Sequence, residues 1–162
     1  MAIRKLILDD FFETEAFTLI GIHCTIEDYR LAYLINKSLE INLNRKPKDI
    51  DNCNLHTTYS IFEWEDQTQL VTWNLVSNSC KVKSSQEATA SNSLFNSEQT
   101  NTKTYHLVPE YKKVNYLLKI ESELNENKKK LILSKILNIS QVVTAYAIDT
   151  ELLKSKDNLI FN

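Results

Sequence analysis

AFTLIGIHCTIEDYRLAYLINKSLE, residues 16 to 40, is the stretch on which the fold turns. Its opening, Ala16 to Cys24, reads as a strand. Phe17, Leu19 and Gly21 fall on one side; Thr18, Ile20, Ile22 and Cys24 fall on the other. Apolar residues on both sides place this strand inside a sheet, because a half-solvated strand alternates apolar with polar. Thr25 then reads as a helix N-cap, with Glu27 and Asp28 in the first turn, where the helix dipole favours negative charge. The helix is expected from Ile26 to Glu40. Leu31, Ala32, Ile35 and Leu39 form its core stripe, widened by Ile26, Tyr29, Tyr33 and Leu34.

Downstream of this unit a polar connection is broken at Pro47. Two β-rich runs follow, His56 to Glu65 and Leu70 to Val76, around the polar residues 66–69. Pairing Glu65 with Leu70 sets Phe62 opposite Trp73 and Trp64 opposite Val71. One face then carries Ser60, Phe62, Trp64, Val71, Trp73 and Leu75. From Ser84 to Thr102 the chain is almost wholly polar and without periodicity, which predicts a flexible loop at about 84–102. Leu94-Phe95 is its one bulky apolar pair. Strands are expected again at Lys103 to Val108, at Val114 to Glu121 and at Val142 to Asp149. In the second of these Val114, Tyr116, Leu118 and Ile120 point inward, and Asn115, Leu117, Lys119 and Glu121 outward. A helix from Asn127 to Asn138 turns Ile132, Leu133, Ile136 and Leu137 to the core. The order predicts an α+β fold: a mainly antiparallel sheet with two amphipathic helices on one face, in a ferredoxin-like, split βαβ layout.

The chain has 162 residues, and residues 1–162 are expected to form a single domain. With 19 Lys+Arg against 21 Asp+Glu it carries a net charge of -2, which argues against a strongly basic nucleic-acid binder. Gly21 is the single glycine, so no phosphate-cradling glycine loop exists. Neither a secretory leader nor a membrane-spanning stretch is readable, and the expected compartment is the cytoplasm. Cys24, Cys53 and Cys80 are odd in number and widely spaced, as for buried thiols in a reducing compartment.

Few residues offer chemistry. His23 and Cys24 are adjacent on a strand and so point to opposite faces, unable to act as a pair. His56 and His106 have no ligand spacing. Asp9, Asp10, Glu13 and Glu15 fit a solvated turn better than a cation loop. Lys128, Lys129 and Lys130 fit a solvated helix face. Trp64 and Trp73 could stack bases, but no basic stripe accompanies them. No catalytic residue, metal ligand or cofactor is therefore assigned.

Residues 108 to 116, VPEYKKVNY, form the most distinctive stretch. Pro109 fixes its own φ and holds Val108 extended, Glu110 is placed to accept backbone hydrogen bonds across a turn, and Tyr116 points inward with Val114. The stretch resembles the signature of the IPExxxVDY family, small proteins of Bacteroidetes-type bacteria. Val108 stands for Ile, Pro109, Glu110, Val114 and Tyr116 match, and Asn115 replaces the family Asp. KLILDD at 5–10, HCTIEDYRLAYLINK at 23–37, LVSN at 75–78 and LKSKDNLIF at 153–161 are similar to that family too. The resemblance implies a small bacterial cytoplasmic protein and brings no reaction with it. Asn keeps the shape of Asp without its charge, so the motif residues Pro109, Glu110, Val114, Asn115 and Tyr116 are read as structural.

The expected function is a non-catalytic interaction or accessory protein that binds another protein or a second copy of itself. Leu94 and Phe95 are the candidate docking pair. A small-ligand sensor and an RNA-binding accessory domain are the alternatives, and no membrane partner is expected.

Overall fold

The computed structural model describes residues 16–52, 55–84 and 101–161. In chain order the elements are β1 (Thr18–Cys24), α1 (Asp28–Leu39), β2 (Asn44–Arg45), β3 (Ile50–Asn52), β4 (Thr57–Tyr59), β5 (Ile61–Asp66), β6 (Val71–Ser77), β7 (Ser79–Ser84), β8 (Asn101–His106), β9 (Tyr116–Ile120), α2 (Glu126–Leu137) and β10 (Val142–Ile148). The main sheet runs β10-β1-β9-β6-β5-β2, antiparallel throughout, and β3-β4 and β7-β8 are separate two-stranded ribbons. The α+β class and the antiparallel sheet match the sequence reading. The sheet and its ribbons hold more strands than a ferredoxin-like layout has.

β1 is interior, flanked by β10 and β9, as its two apolar faces require. Ile20, Ile22 and Cys24 point into one core with Leu31, Ala32 and Ile35 of α1, Ile136 of α2, and Phe62, Leu75 and Leu118 of the sheet. Both helices therefore cover the same face. Leu19 points into a second core with Val76, Leu117, Ile148, Tyr59, Leu107, Val108, Val114, Leu153 and Leu159. The second face is covered by the chain around 107–114 and by the C-terminal stretch.

That second cover corrects one expectation. Leu117 and Lys119 are buried rather than outward. The Lys119 ammonium lies 5.2 Å from the Phe17 ring centre and 5.1 Å from that of Phe161, and pairs with Glu121 at 3.1 Å. Val114 precedes β9 and packs on the opposite face from Tyr116, because a turn closed by Val114 N–H to Tyr111 O breaks the alternation.

The helix termini differ too. α1 starts at Asp28 after Glu27, and Thr25 is not its cap. Tyr29 and Tyr33 are 62% and 65% exposed, so they do not widen the core stripe. In α2 the Asn125 side chain caps the Lys128 N–H at 2.9 Å; Leu137 is exposed and Ile139, just past the helix, fills the core.

His56 to Glu65 is two strands, not one: β4 joins β3, while β5 joins β2 and β6. In the hairpin Trp64 faces Trp73 and Phe62 faces Leu75. Asp66 stays in the strand opposite Val71 because its carboxylate closes the turn, accepting from Thr68 N–H (2.9 Å), Thr68 Oγ1 (2.6 Å) and Gln69 N–H (3.3 Å), while Leu70 takes φ 53°. The partner moves by two residues, which leaves the aromatic face unchanged. The strand expected at Lys103 starts at Asn101, and Ser84 ends β7, so Ser84, Asn101 and Thr102 of the expected loop are in strands, and its remainder, 85–100, lies outside the described residues.

Candidate functional site

The motif stretch forms a junction rather than a cleft. Pro109 opens a single 3₁₀ turn, Pro109–Tyr111, where its missing N–H costs nothing. The exposed Glu110 side chain reaches the C-terminal stretch. Its Oε1 accepts from the N–H groups of Lys154 (2.7 Å) and Ser155 (2.9 Å), and its Oε2 from the Ser155 hydroxyl (2.7 Å). Burial pushes the Glu110 carboxyl up, but the Ser155 hydroxyl and these N–H groups outweigh it and hold the carboxyl below its ordinary value. Val114 is buried against Gly21 of β1, where a Cβ would stand 3.1 Å from its Cγ2.

Asn115 and Tyr116 tie the same junction to the start of α1. Asn115 Oδ1 accepts from Cys24 N–H at 3.1 Å, and the Asn115 N–H donates to Ile22 O at 3.1 Å. Here Asn does the work of an acceptor, which needs no charge. The Tyr116 hydroxyl donates to Ile26 O at 2.7 Å. Burial, with the added field of Cys24, Asp28 and Glu27, pushes its pKa up to about 12.

Asn78 is the residue that sequence reasoning missed. It is fully buried, and its Nδ2 donates to Tyr111 O and to Val114 O, each at 2.9 Å. Its Oδ1 accepts from Val108 N–H at 2.8 Å. Its backbone adds bonds to Asn115 O and from Leu107 N–H. The available signal was its place in the quoted LVSN stretch. Thus HC at 23–24, LVSN, VPEYKKVNY and the C-terminal LKSKDN, quoted separately from the sequence, all meet at this junction.

Cys24 lies at this junction, but the side chains singled out for chemistry do not converge there. Cys24 is buried, and burial pushes its thiol up. His23 lies on the opposite face, with Nε2 3.3 Å from the Tyr146 hydroxyl. His56 is in a turn, and His106 ends β8 far from both in sequence. Lys129 pairs with Glu126 within the first turn of α2. Among the described residues no three His, Cys, Asp or Glu side chains converge to hold a metal ion. Nor is any described helix long and apolar enough to cross a membrane. Leu94, Phe95, Cys53 and the acidic residues at 9–15 lie outside the described residues.

The two ends of the main sheet are unlike. β2 is two residues long and continues into Arg45-Lys46-Pro47-Lys48, with Arg45 paired to Asp49. β10 is seven residues long, VVTAYAI, and contains no charge, proline or glycine. Among the described residues it pairs with β1 alone. Val143 is 77% exposed, and Tyr146 stands beside Tyr111, ring centres 6.4 Å apart. Comparison with family models, curated proteins and solved structures gave no match to this chain.

Proposed function

We propose that this protein is a non-catalytic interaction module that binds a second protein chain by adding a strand at β10. The carrying observation is an edge that no described strand covers. A long edge strand presents a row of free N–H and C=O groups, and sheet proteins ordinarily blunt such edges with charge, proline or short length. The β2 edge has all three protections within Asn44–Lys48. The β10 edge has none, and its exposed Val143 adds apolar area that a docked strand would cover. Tyr146 and Tyr111 supply an amphipathic rim of the kind enriched at interfaces.

The motif geometry supports the same class. Each motif side chain with a polar group is spent on a backbone or Ser155 partner within the chain. Membership of the IPExxxVDY family is proposed on the meeting at one junction of residues from four of the stretches similar to it; the fifth, KLILDD at 5–10, lies outside the described residues. A ferredoxin-like kernel is proposed on the order β10-β1-β9-β6, in which β9 is separated by β1 from the parallel β10 that follows α2, and β1 is separated by β9 from the parallel β6, which the chain reaches after α1 by way of β2 to β5.

The test replaces Val143 and Ala147, both exposed, with lysine. The parent is expected to self-associate in light scattering or to capture a second protein from native lysate, and the double variant to melt as the parent does and to lose that binding. Retention of that binding by a folded variant overturns the reading.

A further inference from the structure

A second feature lies on the helix-covered face, away from β10. Trp64 and Trp73 face each other across β5 and β6, ring centres 6.0 Å apart and planes tilted by 52°. Both rings are half-buried and form the floor of a cleft of about 390 Å³, within the usual range for small-molecule sites. One wall is the outer side of α2, with Lys128, Leu131 and Lys135. Beside it lies the end of α1, joined to α2 by Ser38 Oγ donating to Lys135 O at 2.9 Å, with Glu40 held in the left-handed conformation at φ 58°.

Three of the four charged side chains that line the cleft are uncommitted among the described residues. Among the described residues, Lys128, Lys135 and Glu40 have no ion-pair partner, although Lys129 and Glu126 beside them pair with each other. Neither indole N–H has a hydrogen-bond partner within the described residues. Asp66, also at the cleft, has one oxygen occupied by its turn. Leu131, between the two lysines on the helix, is 58% exposed. A flat apolar floor asks for a flat apolar ring, since aromatic rings pack on one another in offset or tilted pairs. Two ammonium groups ask for a carboxylate. The Glu40 carboxylate at the end of α1 asks for an ammonium.

We infer that the Trp64–Trp73 cleft binds a small aromatic zwitterion of the amino-acid type. Its ring lies on the tryptophans, its carboxylate turns toward Lys128 and Lys135, and its ammonium turns toward Glu40. The site is independent of the β10 edge and goes beyond the interaction role.

The chain supplies its own probe, because Trp64 and Trp73 are its two tryptophans and all indole emission comes from the cleft floor. Phenylalanine, which does not emit under indole excitation, is titrated into the full-length protein. The expected result is a saturable change in emission. Phenethylamine and phenylpropionate, each lacking one charge, are expected to bind at least about threefold more weakly, as for partly solvated ion pairs. Lys128→Glu with Lys135→Glu is expected to remove the response while the melting temperature holds. An unsaturable response to phenylalanine overturns the inference. So does equal binding of the two comparators, or a response that survives in the folded double variant.

Discussion

Glu110 grips Ser155 twice, through its N–H at 2.9 Å and through its hydroxyl at 2.7 Å, across 45 positions of sequence. One exposed carboxylate thereby pins the C-terminal stretch that covers the second core with Leu153 and Leu159. The pinned stretch also brings Phe161 over the Lys119 ammonium.

Glu110→Ala should cost about 1 kcal/mol, the net worth of hydrogen bonds at an exposed site. The pH dependence follows from the lowered carboxyl. A carboxylate favoured in the folded state adds stability that is fully present above its unfolded pKa of about 4.5 and is lost as pH falls through the lower folded value. Urea melts at about pH 6 and about pH 3 should show a drop that shrinks in Glu110→Gln. An identical drop in the variant would assign it to other carboxylates.

Tyr116→Phe should cost about 1 kcal/mol by leaving Ile26 O without its donor. Tyr116→Ala should cost about 3 kcal/mol, at the low end for a large aromatic because the ring is only partly buried. Here the folded pKa is raised, so the contribution is present below about 10 and is lost as pH rises through about 12. Alkaline unfolding curves should lose that component in the Phe variant, and an unchanged curve would assign it to other groups.

Asn78→Ala should be among the most damaging single changes, at about 3 kcal/mol, because it strands the buried Val108 N–H and two carbonyls at once. Asn78→Asp should be worse still: it keeps the acceptor for Val108 but points oxygen at two carbonyl oxygens. Equilibrium denaturation ranks the pair, and an Asp variant as stable as the parent would contradict this assignment of the amide.

Gly21→Ala should cost about 1 kcal/mol and Gly21→Val about 3 kcal/mol or more, from overpacking. A Cβ at Gly21 meets Ile148 Cδ1 at 3.1 Å and Val114 Cγ2 at 3.1 Å. The Ile148 tip can swing aside, whereas the β-branched Val114 is stiff. Trimming the obstacle in a Gly21→Ala, Val114→Ala double variant should show favourable coupling in a double-mutant cycle.

What the sequence determined by itself was local periodicity. The two apolar faces of Ala16–Cys24 required an interior strand, the spacing of Leu31, Ala32 and Ile35 fixed the buried side of α1, and the run Phe62, Trp64, Trp73, Leu75 stayed on one face although its register moved by two. Pro109, Glu110, Asn115 and Tyr116 could be singled out, but not their partners, which lie up to 91 residues away. Only the tertiary structure decided what covers the second face, and hence that Leu117 and Lys119 are inside. It also decided that Asn78 is a buried hub and that Trp64 and Trp73 floor a cleft. A polar side chain reads as solvated until a distant segment lies over it, and no local pattern records where that segment will fall.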